Sequence, residues 1–342
     1  MAQQLTTARD TRISSRMFGI AETLFLLAGF SLIAGQLAPL IGVPTRSDRN
    51  ALLFDTPIPQ WFAAAEAEAQ WLGLRFGLTL LAAWLICAWR RGPTRREAGL
   101  SFGDRSPLAL IGLGLGVCLV VLIPVHVAQA IHSVHPLGAN TPMWDLFARN
   151  EWTPDFWLFM AASSFVLVPI VEELFFRSYM VSRLRENFSA GGAVILSAIL
   201  FWVSHGQYLN TDPYLMMFSI SALIGASMLA WMMVYTGSVL PAVAAHMLLN
   251  IPGDTWYHVG WVIAGVAILI CYRRTAARLF MDYARLIAST REWLLLVAVG
   301  AVMFALVLFI RSEPRSVYPV AGLFLLLALA SLTRRRTNEN SR

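Results

Sequence analysis

The chain has 342 residues, 57% hydrophobic and only 13% charged, with a positive mean hydropathy; that composition excludes a soluble globular domain and fits a polytopic membrane protein. Its formal charge of +6 comes from arginine alone, clustered in short loops between apolar runs, which is a topology signal and not a nucleic-acid surface. Cys87, Cys118 and Cys271 lie inside apolar runs without the pairing or CxxC spacing of a disulfide framework or zinc site.

In chain order, residues 1–16 are polar and predicted to be disordered and cytoplasmic. The apolar run 17–43 is too long for a cleaved signal segment and reads as a retained first span. A loop follows with Asp48, Asp55, Glu66 and Glu68, in which residues 61–70 are expected to lie as an interfacial helix before a second span, 71–89. After a basic turn at 90–96, a third span at 107–128 carries Gly112 and Gly116 in GxxxG spacing, which predicts a packing face. A polar loop at 129–154 leads to a fourth span. It begins near Asp155, contains Glu172 and Glu173, and is expected to continue as an amphipathic extension through Arg177, Arg183 and Arg185.

A turn at 187–192 precedes a fifth span running through Phe201 to His205. The sixth span is 213–236, a short seventh holds His246 and Asn250, and the eighth is 258–272. An Arg-bearing amphipathic link at 275–292, a ninth span at 293–310, a tenth at 317–332 and a basic tail complete the chain. The expected fold is therefore an all-α, polytopic transmembrane helix bundle of about eight to ten spans. With ten spans the arginine groups fall on one side, so both termini are expected to face the cytoplasm across the cell membrane. Residues 17–69 form the first span and outer loop, 70–272 the core, and 273–342 an appended link, span pair and tail outside the chemistry.

An intramembrane carboxylate or imidazole is costly and marks a functional site by default. An antiparallel hairpin turning near residue 188 puts Glu172 and His205 each about 16 residues from the turn, hence at one depth. His246 and Asn250 stand one turn apart on a single face. Glu173 points about 100° away from Glu172 and stands four residues before Arg177, a pairing distance. One carboxylate, two imidazoles and a carboxamide in a secluded pocket suit hydrolysis: the carboxylate takes a proton from water, one imidazole fixes that water, and the other groups hold an oxyanion. Glu172, His205 and His246 are also a donor set that a divalent metal such as zinc could use. His126, His132 and His135 cluster at the end of the third span with no carboxylate or cysteine at ligand spacing, and no His-Glu-x-x-His is present.

Glu-Glu-x-x-x-Arg at 172–177, Phe-x-x-x-His at 201–205 and His-x-x-x-Asn at 246–250 follow one another on successive apolar segments. In that order and setting they resemble the CAAX-protease and bacteriocin-processing (CPBP, or Abi) family of intramembrane proteases, which includes the Ras-converting CAAX prenyl endopeptidases. The resemblance covers residues 70–272. It implies an endopeptidase with Glu172 as water-activating base, His205 as its partner on the water, and His246 with Asn250 as oxyanion stabilisers. Glu173, Arg177 and Phe201 would support them. The family is often labelled metalloprotease, yet the resemblance favours a glutamate-activated water without a metal cofactor. The implied partners are a membrane-associated peptide or protein substrate and the lipid bilayer. A non-catalytic scaffold or bacteriocin-immunity protein of the same fold is the alternative.

Overall fold

The computed structural model describes residue 16 and residues 19–56, 58–90, 97–138, 152–205 and 212–312. The expected tenth span, the residues before Arg16, Asp145, Glu151 and the basic turn at 91–96 lie outside these. Helices fill the described chain in the order α1 (Gly19–Leu40), α2 (Arg46–Phe54), α3 (Trp61–Arg90), α4 (Pro107–Val121), α5 (Ile123–His132) and α6 (Pro154–Arg185). Then come α7 (Ala190–Ser204), α8 (Pro213–Thr236), α9 (Leu240–Leu249), α10 (Thr255–Cys271), α11 (Arg273–Ala288) and α12 (Trp293–Ser312). Among the described residues the only extended pairing is an isolated bridge between Leu100 and Ser238. The protein is a multi-pass helix bundle: α1, α3, α6 and α8 are each long and apolar enough to cross a membrane. The pairs α4–α5, bent by 54°, and α10–α11, bent by 93°, raise that number to as many as six.

Three expectations are corrected. Residues 61–70 do not form a separate interfacial helix; they are the first turns of the 30-residue α3. Glu68 has a partner the sequence did not reveal. The Thr45–Asp48 capping box starts α2, and α2 sends Arg49 onto Glu68 at 2.7 Å, both side chains buried. Ala64, Ala65 and Ala67 are buried as well, and alanine favours continuing a helix over ending it.

Arg183 is the second correction. It is buried rather than solvated, donating to Glu22 of α1 at 2.9 Å, where Tyr179 also donates at 2.7 Å. Arg183 also pairs with Glu186.

The third concerns α4. Among the described residues nothing stands within 4 Å of a Cβ placed on Gly112 or Gly116, whereas one on Gly114 would run into the Pro241 carbonyl of α9. The close approach lies two residues off the predicted register, roughly 200° round the helix. Gly114→Ala is therefore expected to lower stability by about 1–3 kcal/mol through overpacking. Gly112→Ala and Gly116→Ala should be neutral or stabilising by up to about 1 kcal/mol, since alanine is the better helix former. Thermal melting of the three purified variants checks the contrast.

The bend after α4 also has a local cause. The Pro124 ring clashes with the carbonyl four residues earlier, and the opened turn gives the Leu119 carbonyl to Trp261 Nε1 of α10 at 3.2 Å.

Helix α12 packs directly on α7. Leu296 and Met303 enter the same buried cluster as Phe175, Phe176 and Phe201, and Trp202 lies parallel to Phe304 at 6.1 Å. Glu292 fixes the start of that contact by accepting from Ser189 N at 3.1 Å and Ser189 Oγ at 2.7 Å. A carboxylate there suits the positive end of the α7 dipole.

Candidate active site

The site begins with a proline. Pro169 has no N–H, and its ring crowds the carbonyl of Phe165, so α6 cannot run on as a regular helix. It widens into π-helical turns at Ala161–Phe165 and breaks at Val166, where φ is −119° and ψ −70°. A second π-helical stretch, Leu174–Val181, follows the two glutamates directly; such stretches are frequent at functional sites. At π spacing the partner of the Ser164 carbonyl would be the N–H five residues on, which is the missing one of Pro169. Asn250 answers for it: its Nδ2 donates to Ser164 O at 3.1 Å, and Ser164 Oγ donates to Asn250 O at 3.1 Å.

Helix α7 carries the second component. Ser189 caps its start by accepting from Gly192 N, and its last turn presents His205. Nδ1 of that ring lies 2.9 Å from the Phe201 carbonyl. A carbonyl can only accept, so Nδ1 carries the proton and Nε2 is left as an acceptor. Nε2 stands 3.9 Å from Glu172 Oε2, with the two side chains 22% and 13% exposed. Glu172 Oε2 has no hydrogen-bond partner among the described residues.

Glu173 sits on the other side of the helix and is fully buried, as is Arg177. Arg177 Nε lies 3.0 Å from Glu173 Oε2, a charge contact whose N–H direction misses the oxygen. The other carboxylate oxygen receives His246 Nδ1 at 2.8 Å. Phe201 joins these parts. The Arg177 guanidinium lies over its ring at 4.4 Å, His205 stacks on it at 4.2 Å, and His246 meets it edge-on at 5.8 Å.

Glu172, Glu173, Arg177, Phe201, His205 and His246 thus form one contact cluster, and Asn250 caps α9 one turn beyond His246. Two details depart from the sequence reading. Glu173 is shared between Arg177 and His246, and the Asn250 amide is anchored on Ser164, with one N–H left over. His246 was missed as Glu173's partner because the two are 73 residues apart. Ser164 was legible only through Pro169 five residues later. Arg75, inside α3, was passed over because arginines were read as loop markers.

Among the described residues, no three His, Cys, Asp or Glu side chains converge to hold a metal. His246 Nδ1 is engaged by Glu173, which leaves Nε2 as the ring nitrogen turned to any other partner. The three histidines near the end of the third span also separate. His126 Nδ1 meets His258 Nδ1 at 2.9 Å and its ring stacks on Trp261, while His132 stacks on Tyr214.

Residues 154–252 match the family model for Rce1-like proteins, described as "Type II CAAX prenyl endopeptidase Rce1-like". The match runs from the start of α6 to just past Asn250 and includes all seven residues of the three motifs. The resemblance to a protease family carried by those motifs therefore holds over this stretch. No curated protein matches the chain, and no solved structure does.

Proposed function

We propose that this chain, Rce1-like over residues 154–252, is an intramembrane endopeptidase that hydrolyses a peptide bond of a membrane-associated protein or peptide with a glutamate-activated water. One observation carries the reading: Glu172 Oε2, which has no hydrogen-bond partner among the described residues, stands 3.9 Å from the acceptor His205 Nε2. A single water reaches both with its two O–H bonds at ordinary lengths of about 2.8 Å. Glu172 takes one of its protons as the oxygen attacks the peptide carbonyl carbon. His205 holds the other, its ring fixed by the Phe201 carbonyl and stacked on the Phe201 ring.

The new C–O bond puts negative charge on the former carbonyl oxygen. Asn250 has one N–H to give it, because the other is spent on Ser164. His246 already donates Nδ1–H to Glu173, so it serves the oxyanion from Nε2 as the imidazolium, with the Glu173 carboxylate opposite. The C–N bond then breaks, and Glu172 returns its proton to the leaving amine. Glu173 and Arg177 orient this machinery and do not touch the water.

The substrate is a CAAX-type tail or a leader or bacteriocin precursor, processed at the cell membrane by a protein with both termini in the cytoplasm. Terminal proteomics of membranes containing wild type or His205→Ala tests the reading. The wild type should generate a new pair of chain ends that His205→Ala does not. Identical sets of ends would favour the scaffold or immunity role instead.

A further inference from the structure

The apolar helix α3 carries one arginine at mid-length, and its placement follows from how α3 packs. Trp61, the first residue of α3, meets Phe156 and Phe159 near the start of α6 at ring-centroid distances of 5.1 and 5.4 Å. The two helices run in parallel from that contact. Fourteen residues on from Trp61 is Arg75, and fourteen on from Phe156 is Ile170, so Arg75 stands at the level of Glu172. It shares a helix face with Leu72 and Thr79, both buried, which turns it toward the bundle.

Among the described residues Arg75 is tied down at one nitrogen. Nε donates to Ser31 Oγ of α1 at 2.9 Å, and the guanidinium lies over the Phe76 ring at 5.0 Å. Among the described residues it has no ion pair. Of the charges acting on it, that of Glu172 is the largest, ahead of Arg46 and Glu68. Glu68 is already held by Arg49 at 2.7 Å. A cation at this depth is costly unless an acceptor meets it. Glu172 is a poor permanent partner, because its charge disappears whenever it takes the proton of the water. The remaining N–H groups of Arg75 form a planar fork, the shape that binds a carboxylate through two parallel hydrogen bonds.

We propose that Arg75 is a specificity-determining residue of this site, whose guanidinium takes a carboxylate of the bound peptide, either its free C-terminus or an acidic side chain near the scissile bond. This rests on the proteolytic reading above and adds what that reading leaves open, namely which peptides are chosen.

The test uses full-length protein in proteoliposomes. The cleaved segment, located from its new termini, is synthesised in three forms: native, C-terminally amidated, and with acidic side chains near the bond changed to their amides. Wild type should cleave one of the neutralised forms about 10- to 100-fold less efficiently in kcat/KM, mainly through KM, as expected for loss of a charge-assisted hydrogen bond. Whichever form suffers identifies the carboxylate. Arg75→Gln should erase the difference between native and neutralised peptides, and Arg75→Lys, which keeps the charge but not the fork, should restore part of it. Equal cleavage of all three peptides by wild type overturns the proposal and leaves the proteolytic reading standing. Cleavage of none overturns the proteolytic reading itself. Should Arg75→Gln slow every peptide alike and move the pH profile, Arg75 is a counter-ion of Glu172 and the proposal also falls. The wild-type comparison needs no variant, so a failure of Arg75→Gln to fold does not protect the idea.

Discussion

Glu172→Ala is expected to reduce cleavage by at least about 10²- to 10⁴-fold, the usual contribution of a positioned general base, while the protein inserts and melts as wild type does. The two halves of this expectation have separate causes. Activity is lost because, among the described residues, Glu172 is the carboxylate paired with His205 Nε2; Glu173, one residue on, is turned away and committed to Arg177 and His246. Stability is kept because, among the described residues, Glu172 Oε2 has no hydrogen-bond partner, and its contact with His205 Nε2 is a long 3.9 Å. Glu172→Gln, which keeps shape and removes basicity, should be as inactive as the alanine variant. Cleavage of the native peptide followed beside a melting curve decides both points. Full activity in Glu172→Ala would remove the catalytic base and with it the hydrolytic mechanism.

The sequence revealed the site more completely than it revealed the packing, and the reason is periodicity. Spacings within one helix fix which side chains share a face, so His246 with Asn250 and Glu173 with Arg177 could be paired without coordinates. The hairpin count likewise put Glu172 and His205 at one depth. Contacts between distant segments carry no such signal. Glu22 meeting Arg183 joins the first span to α6 across 161 residues, and Arg49 meeting Glu68 folds a supposed loop onto α3. In both cases charged residues from separate segments are paired and buried. The GxxxG reading failed in a related way: the motif states that close approach is permitted, but the partner helix decides where, and Pro241 chose Gly114. Proline was the signal used least. Pro169 and Pro124 each interrupt a helix, and beside each break a backbone carbonyl is taken by a side chain from another segment, Ser164 O by Asn250 and Leu119 O by Trp261.

The second large effect belongs to Glu173, and it separates folding from catalysis. Glu173 and Arg177 are both fully buried, so removing one partner strands the charge of the other; Glu173→Leu is expected to cost about 3–5 kcal/mol and to lower the melting temperature sharply. Arg177→Met should cost a similar amount for the same reason. Combining them leaves no orphaned charge and fills the space with apolar groups, so the double variant should recover much of the lost stability. Its activity should not return, because His246 Nδ1 has lost the acceptor 2.8 Å away that fixes the ring and balances the imidazolium. A double-mutant cycle read by melting and by kcat on the same preparations tests this. Strong coupling is expected in stability and little in turnover, since Glu173 reaches the reaction through His246 whether or not Arg177 is present. If turnover recovers together with stability, Glu173 serves only to hold α6 together, and the imidazolium role of His246 must be given up.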